Sequence, residues 1–306
     1  MKVLIVGFGS IGKRHFEILN DFEMLSEVHI VTKQVVKNLI SFNKLDDIDN
    51  LSSYGYFIIS SETVKHYEQL KYICSKVTNK KILVEKPLYD KIHDNINSTN
   101  KIFTAYNLRF HPVLQKLSTL LKDEKIYYAN IICGQYLPTW RPEQDYRDSY
   151  SAKLEEGGGV LRDLSHELDY ATWLFGDIEK IEAINTKISD LEINSDDIFT
   201  AIATTNKQVI VNVTIDYISK TPIRRLLIHT KSQTIEVDVI NNSIILYPKN
   251  GNSKKIKIEM VDRNYTYATM HKNIINDKFE MLCNFNNGKK IVNMISNIKF
   301  KEMANA

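Results

Sequence analysis

The sequence lacks the features that mark several classes of protein. Its 306 residues include only three cysteines, which are far apart and form no CxxC pair. This pattern predicts reduced thiols and excludes a disulfide framework or a zinc finger, and no other group of residues has the spacing of metal ligands. No apolar run approaches the ~18 residues that span a bilayer, and no signal-peptide cleavage site follows the short run after Met1. We therefore expect a cytoplasmic protein without a bound metal ion.

The chain also has no strong excess of either charge. The formal net charge is +3, and the hydrophobic and charged fractions of 43% and 25% are those of an ordinary globular protein. A nucleic-acid-binding protein would concentrate lysine and arginine on one face, and a membrane-bound one would need a longer apolar segment. The length predicts two domains, each able to bury its own core.

Strand and helix patterns alternate over the first 106 residues. Short apolar runs predict strands at Val3–Val6, Val28–Thr32, Tyr56–Ser60, Ile82–Glu85 and Ile102–Tyr106. Helical spacing predicts helices at Ile11–Leu19 and Thr63–Cys74. Strands separated by helices indicate a doubly wound parallel sheet, the Rossmann fold.

After Pro112 the pattern changes to consecutive strands. We expect helices at Val113–Leu121 and Gly159–Phe175, strands such as Ile126–Tyr136 and Ile223–Thr230, a hairpin turn at Asn241-Asn242, and closing helices at Thr266–Leu282 and Gly288–Lys299. This predicts an α+β domain with a largely antiparallel open sheet. We place the domains at residues 1–110 and 111–306, with a tight hinge and a cleft between them and the final helix packing back on the first domain. The open face of the sheet predicts a homodimer or homotetramer.

The segment Gly7–Gly12, with the sequence GFGSIG, joins the first strand to the first helix. Gly7 allows a tight turn, Gly9 allows close approach of a pyrophosphate, and Gly12 allows close packing of helix on strand. The N-terminus of the helix offers unpaired N–H groups to the phosphates. The residues expected at the dinucleotide are Gly7, Gly9, Ser10, Ile11 and Gly12. The alternative is a tight turn without a ligand.

The end of the second strand bears on the choice between NAD and NADP. NAD-specific sites place a carboxylate here to accept a hydrogen bond from the ribose 2′-hydroxyl. This chain has Thr32 and Lys33 instead, and a hydroxyl with an ammonium group suits a 2′-phosphate. NADP is therefore slightly favoured over NAD, unless Lys33 is an ordinary solvated lysine.

Glu85-Lys86-Pro87 follows the fourth predicted strand, at the carboxyl edge where such sheets bind ligands. An ammonium group there can hydrogen-bond a substrate oxygen and stabilise its developing charge. Taken alone, Lys-Pro at the end of a strand is more often a simple turn.

A helix over residues 159–175 would place Arg162, His166 and Asp169 on one face, opposite three leucines. Asp163, one turn before His166, could orient its imidazole. The alternative is an ordinary solvated face. The preceding loop contains Trp140, Arg141, Tyr146 and Arg147, and aromatic and guanidinium groups of this kind bind sugar rings and anions. The loop could instead form a contact between subunits.

These segments, together with Thr63–His66, Tyr106–Phe110 and Gly157–Gly159, occur in the order found in one family. The chain resembles the Gfo/Idh/MocA oxidoreductases, named for glucose–fructose oxidoreductase, inositol dehydrogenase and rhizopine catabolism, over essentially its whole length. The resemblance implies that Lys86 is catalytic, that the peptide bond before Pro87 is often cis, and that His166 is the general acid/base. Only two residues separate Asp163 from His166, where the family usually has three, so the role of Asp163 stays open.

The resemblance also extends the predicted site. It adds to the glycine segment a further set of cofactor-binding residues, Thr32, Lys33, Ser60, Thr63, His66, Glu85, Lys86 and Asn107. It assigns substrate binding to Arg109, Trp140, Arg141, Tyr146, Arg147 and Asp169.

The implied function is NAD(P)-dependent hydride transfer to or from a hydroxyl or keto carbon of a sugar or nucleotide sugar. The amino-acid sequences of Tyr136–Pro142 and Asn107–Pro112 resemble those of family members that accompany bacterial surface-sugar pathways, such as those making nonulosonic acids. Two alternatives stay open. One is a non-catalytic dinucleotide-binding sensor or partner protein. The other is a lyase or isomerase that uses the cofactor transiently.

Overall fold

The computed structural model describes residues 1–301, which divide into two compact units. The first unit comprises Met1–Phe110 and Asp262–Asn293, and the second comprises His111–Val261 and the residues from Met294 onward. The chain passes from the first unit to the second between Phe110 and His111. It re-enters the first unit near residue 262, so that the first unit takes in a segment that we had expected to lie within 111–306.

The N-terminal part of the first unit alternates strands and helices as predicted. In chain order its elements are β1 (Lys2–Val6), α1 (Ser10–Asn20), β2 (Glu27–Val31), β3 (Ser41–Phe42), β4 (Tyr56–Ile59), α2 (His66–Lys76), β5 (Lys81–Val84) and β6 (Lys101–Thr104). Strands β1, β4 and β5 are buried on both faces, which explains their unbroken apolar sequence. The two-residue strand β3 is too short to leave a periodic pattern.

The second unit is built on one eight-stranded sheet. Its elements are α3 (Pro112–Leu121), β7 (Ile126–Gly134), α4 (Val160–Asp163), α5 (His166–Phe175), β8 (Ile178–Thr186), β9 (Ile198–Thr205), β10 (Ile210–Asp216), β11 (Ile223–Thr230), β12 (Gln233–Asp238), β13 (Ser243–Pro248) and β14 (Lys254–Lys257). The strand order is β14-β13-β12-β11-β7-β10-β9-β8, and only the β7–β10 pair is parallel.

The last elements are α6 (Tyr265–Ile275), β15 (Cys283–Asn284) and α7 (Phe285–Asn297). Strand β15 pairs antiparallel with β6 and completes a seven-stranded sheet in the order β15-β6-β5-β4-β1-β2-β3, whose other neighbours are all parallel. The predicted helix Thr266–Leu282 is wrong at its C-terminal end, because Asp277 adopts a left-handed backbone with φ of 57° and the chain then forms β15. The two predicted sheet types, and thus the fold class, are confirmed.

The single helix predicted over residues 159–175 is in fact two helices. Helix α4 ends at Asp163, and α5 begins at His166. Leu161, Leu164 and Leu168 are buried as the spacing predicts. Because the leucines keep helical spacings of three and four residues across the break, the periodicity could not reveal it.

Three absences hold for residues 1–301. No helix there combines the length and apolar character needed to cross a bilayer. No three histidine, cysteine or acidic side chains of this part of the chain are placed to hold a metal ion. No disulfide joins the three cysteines, of which Cys133 and Cys283 are buried.

Candidate functional site

The glycine segment after β1 has the geometry of a dinucleotide-binding turn. Gly7 has a positive φ of 96°, and a Cβ atom there would lie 2.5 Å from the backbone nitrogen of Ser61. A Cβ atom on Gly12 would lie 2.2 Å from the carbonyl oxygen of Gly7. Both positions therefore exclude any side chain for reasons internal to the fold.

Gly9 differs from Gly7 and Gly12 because no contact within residues 1–301 requires a glycine at this position. It is the N-cap residue of α1, with φ of −73° and ψ of −165°, a conformation open to any amino acid. A Cβ atom there would have no atom within 4 Å, and no side chain caps the helix. Gly9 and Ser10 are exposed, and Ile11 is half-buried. The open space and the uncapped N–H groups together fit a bound pyrophosphate.

The residues after β2 form a small hydroxyl-stabilised turn. The Thr32 hydroxyl accepts a hydrogen bond of 3.1 Å from the backbone N–H of Gln34. Lys33 is exposed and Thr32 is half-buried, so the ammonium group of Lys33 is available to a ligand at this edge.

Two predicted cofactor residues hold the loops of this edge in place. Ser60 is buried, and its hydroxyl donates to the carbonyl oxygen of Gly7 at 3.0 Å. The buried imidazole of His66 lies within hydrogen-bond distance of the carbonyl oxygens of Ser61 and Pro87, at 3.1 and 3.2 Å. Thr63 is half-buried in the 3₁₀ turn before α2. Ser60 and His66 therefore act on the backbone of the site.

Glu85-Lys86-Pro87 directly follows β5, and the Lys86–Pro87 peptide bond is cis. The buried Glu85 carboxylate accepts the backbone N–H of Lys86 on Oε2 at 3.2 Å, and its Oε1 lies 2.9 Å from Nε2 of His15. Lys86 is half-buried. No local pattern could indicate a role for His15, because its partner Glu85 is 70 residues away along the chain.

Asn107 and Arg109 lie in a 3₁₀ turn after β6 and are both buried. The Asn107 amide donates to the Thr266 hydroxyl at 2.6 Å, and the Arg109 guanidinium donates to the carbonyl oxygen of Leu282 at 3.3 Å. Both side chains therefore tie this turn to the segment that re-enters the first unit, and their predicted ligand contacts stay predictions.

In the second unit, His166 is the first residue of α5 and is half-buried. The next residue, Glu167, is fully buried, and its Oε1 accepts from Nε of Arg224 on β11 at 2.8 Å and from the Tyr170 hydroxyl at 3.3 Å. This ion pair attaches the first turn of α5, which carries His166, to the sheet. Asp169, predicted to share an open face with His166, is 2% exposed and belongs to the interior.

The carboxylate of Asp163 is the centre of a hydroxyl cluster. It accepts hydrogen bonds from Tyr150 at 2.9 Å, from Ser151 at 2.6 Å and from Tyr217 at 2.6 Å. Burial, with the charge of Asp163, raises the pKa of Tyr217 well above its usual value, so that this phenol stays a donor. Sequence reasoning missed Ser151 and Tyr217, which lie 12 and 54 residues away. Asp163 therefore ties α4 to two other segments of the unit, one with Tyr150 and Ser151 and one with Tyr217, whatever it contributes to His166.

The loop after β7 encloses a small pocket. It is partly open to solvent and is lined by Leu137, Trp140, Arg141, Gln144, Asp145, Tyr146, Ser149 and Ser151. The indole N–H of Trp140 is buried there without an acceptor among residues 1–301. The guanidinium of Arg141 lies over the ring of Tyr150, 5.4 Å from its centroid. Trp140, Arg141 and Tyr146 are thus brought together as predicted substrate residues.

Arg147 is the exception in this loop. Its guanidinium is bound by Asp145 at 2.6 Å and by Glu192 at 3.1 Å. Both carboxylates hold the charge of Arg147 at the surface of the second unit, and its predicted contact with a substrate stays a prediction.

Known proteins resemble the chain in sequence and in fold. Residues 119–236 match the family model of the GFO/IDH/MocA C-terminal domain. An uncharacterized oxidoreductase of Synechocystis sp. is 26% identical over 151 residues, which is 47% of this chain and 40% of that protein. The match therefore covers less than half the length of this relative. The family model therefore agrees, over residues 119–236, with the resemblance that the motifs indicate.

Two solved structures share the fold over nearly the whole chain. UDP-N-acetylglucosamine 3-dehydrogenase from Acidithiobacillus ferrooxidans has a TM-score of 0.75 and 16% identity, with 96% of this chain and 95% of that chain covered. The WlbA dehydrogenase from Bordetella pertussis, solved with NADH and UDP-GlcNAcA, has a TM-score of 0.76 and 16% identity, with 96% and 94% covered. At this identity the likeness concerns the fold alone.

Proposed function

Because this chain carries the C-terminal domain of the Gfo/Idh/MocA family, we propose that it is a nicotinamide-dependent oxidoreductase. It transfers a hydride to or from a hydroxyl-bearing carbon of a sugar or nucleotide sugar. The observation that carries the proposal is Gly9, a glycine that the fold does not need, at the uncapped N-terminus of α1. A pyrophosphate that must come close to the protein backbone accounts for this glycine.

The glycine segment and the N-terminus of α1 hold the pyrophosphate of the cofactor. Thr32 and Lys33, with no carboxylate at the end of β2, favour NADP over NAD. When bound, the cofactor supplies or accepts the hydride. Ser60 and His66 keep the surrounding loops in position through their backbone hydrogen bonds.

Lys86 binds the reacting oxygen of the substrate, and its charge stabilises the oxygen as it gains negative charge. His166 takes up or returns the proton of that hydroxyl. Asp163 fixes the start of the segment that leads to His166, through its three hydroxyl donors. These roles follow from the family resemblance and the chemistry of the side chains.

The pocket after β7 contacts the substrate. The buried indole N–H of Trp140 needs an acceptor, and the hydroxyl and carbonyl oxygens of a sugar provide one. Arg141, exposed over Tyr150, suits the phosphate or carboxylate of an activated sugar. The dehydrogenase from B. pertussis was solved with a UDP-sugar, and a nucleotide sugar of surface-glycan biosynthesis is the substrate class we propose.

The enzyme works as a homodimer or homotetramer. One face of the eight-stranded sheet exposes Ile184, Ile202 and Ile210, at 53%, 61% and 47%. Exposed isoleucines that lie together on one sheet face indicate an interaction surface, and a second copy of the chain would cover them. Ile202→Glu should dissociate the oligomer, as measured by light scattering after gel filtration.

The test combines binding and turnover. The purified protein is titrated with NADP⁺ and NAD⁺ and then supplied with a panel of sugars and nucleotide sugars, while absorbance of the reduced cofactor is followed. Lys86→Ala should lower kcat about 100-fold or more, whereas Lys91→Ala, an exposed lysine of the same region, should leave it unchanged.

Three outcomes contradict the proposal in different ways. Wild-type turnover of Lys86→Ala would remove this lysine from the mechanism. Cofactor binding without turnover of any substrate would favour a sensor or partner protein. Products of unchanged oxidation state would identify a lyase or isomerase.

A further inference from the structure

A chain of four buried side chains crosses the interior of the first unit and ends beside Lys86. The hydroxyl of Tyr56 lies 2.8 Å from Nδ1 of His271, and Nε2 of His271 lies 2.8 Å from Nδ1 of His15. Nε2 of His15 lies 2.9 Å from Oε1 of Glu85. Tyr56, His271 and His15 are completely buried, and Glu85 is 6% exposed. We call these four residues the imidazole chain.

The hydrogens of this chain can point in only one direction. Burial and the charge of Glu85 raise the pKa of Tyr56 well above its usual value, and burial lowers the pKa of His271 well below its own. Tyr56 is therefore a phenol and His271 a neutral imidazole with a single N–H. Within residues 1–301 the only hydrogen-bond partner of the Tyr56 hydroxyl is His271, so the phenol must donate to Nδ1.

The direction of the hydrogen bond at Tyr56 sets the direction of each later hydrogen bond in the imidazole chain. His271 then donates from Nε2 to Nδ1 of His15, and His15 donates from Nε2 to Glu85. Glu85 accepts a second hydrogen bond, from the backbone N–H of Lys86, on its other oxygen. Each oxygen of the Glu85 carboxylate therefore accepts one hydrogen bond, Oε1 from His15 and Oε2 from the backbone N–H of Lys86.

The chain is not a path for protons. Moving each hydrogen one step toward Glu85 would leave a tyrosinate at position 56 and a neutral carboxylic acid at position 85. A tyrosinate buried completely among apolar strands is strongly unfavourable. The imidazole chain is thus a series of hydrogen bonds whose donors all point toward the Glu85 carboxylate.

We infer that the Glu85 carboxylate, to which the imidazole chain directs its hydrogen bonds, sets the redox preference of the cofactor site by stabilising the oxidised nicotinamide relative to the reduced one. The inference rests on the proposed function. Glu85 follows β5 at the same carboxyl edge of the sheet as the glycine segment that follows β1. The oxidised ring carries a positive charge that the reduced ring lacks, so a fixed negative charge favours the oxidised form. Deleting this charge removes the preference, whether or not the neighbouring ammonium of Lys86 offsets part of it.

The test measures dissociation constants for the oxidised and reduced cofactor separately, without substrate, by fluorescence titration. Glu85→Gln keeps an acceptor for His15 and removes the charge. It should weaken binding of the oxidised form relative to the reduced form by about tenfold. His271→Leu breaks the imidazole chain and should move the ratio of the two dissociation constants in the same direction. His271→Gln keeps an N–H donor and should restore the wild-type ratio.

His93→Gln is the matched control in the same unit. His93 is half-buried, is stacked on Tyr67 and lies outside the chain, so its replacement should leave the ratio unchanged. Thermal unfolding confirms that each variant is folded. If His271→Leu does not fold, Glu85→Gln and His271→Gln still decide the question.

A second measurement needs no cofactor. Nitrogen-15 NMR of the wild-type protein should show both His15 and His271 protonated on Nε2 and not on Nδ1. A His15 proton on Nδ1, or a Glu85→Gln ratio within twofold of wild type, would overturn the inference. If the wild-type protein binds no nicotinamide dinucleotide, the proposed function fails and the redox role with it, while the tautomers still show whether the hydrogen-bonded chain exists.

Discussion

Replacing Gly9 by alanine separates the ligand from the fold more cleanly than any other change in this chain. The backbone at Gly9 is already in a region that alanine adopts, and the new methyl group would meet no protein atom within 4 Å. The loss of unfolded-chain entropy stabilises the variant by about 0.4–1 kcal/mol. Alanine is a poorer N-cap than glycine by a similar amount. Stability should therefore change by less than about 1 kcal/mol.

Cofactor binding should respond very differently. The methyl group projects into the space that the proposed pyrophosphate occupies, and overpacking of a closely fitted site costs about 1–3 kcal/mol. This corresponds to a loss of about 5- to 150-fold in affinity. The assay is a fluorescence titration with reduced cofactor, combined with a thermal unfolding curve.

Gly12→Ala is the matched comparison in the same segment. Its Cβ atom would lie 2.2 Å from the carbonyl oxygen of Gly7, so strand and helix must separate, and we expect destabilisation of about 2–4 kcal/mol. A Gly9→Ala protein that binds the cofactor as tightly as wild type would refute the reasoning. In that case the glycine segment would be only a turn.

Three further predictions concern the second unit. Arg224→Met leaves the carboxylate of Glu167 buried without its cation and should destabilise the protein by about 3 kcal/mol in denaturant titrations, with Glu167→Gln in the same background restoring part of the loss. Tyr217→Phe removes one of the three hydroxyl donors to Asp163 and should cost about 1–2 kcal/mol, and a cost near zero would mean that the cluster is not a structural anchor. Burial raises the pKa of Asp196 to about 6 from 3.8, so its contribution to stability is present at low pH and is lost as the pH rises through 6. Asp196→Asn should therefore gain stability relative to wild type by about 2–3 kcal/mol between pH 4 and pH 7, and a difference independent of pH would contradict the shift.

Local sequence features determined the two sheet types and the glycine turn. Apolar runs such as Val3–Val6 predict buried strands because each residue of a doubly covered strand must avoid water. Gly7 and Gly12 were predictable because a tight turn and close helix packing impose conditions on single residues. The resemblance to a family required only short motifs in a fixed order. Periodicity alone could not detect the break between α4 and α5 or the early end of α6.

Only the tertiary structure decided what surrounds the predicted site residues. Glu85 meets His15 and, through it, His271, which lies 256 residues away from His15. Asp163 meets Tyr217 from a distant strand, and Arg147, expected to bind substrate, is occupied by two carboxylates. The physical reason is that charge, burial and the direction of a hydrogen bond depend on atoms that the fold brings together from distant parts of the chain. A linear pattern shows which groups are present, and the three-dimensional packing determines which of them are fixed and which can reach a ligand.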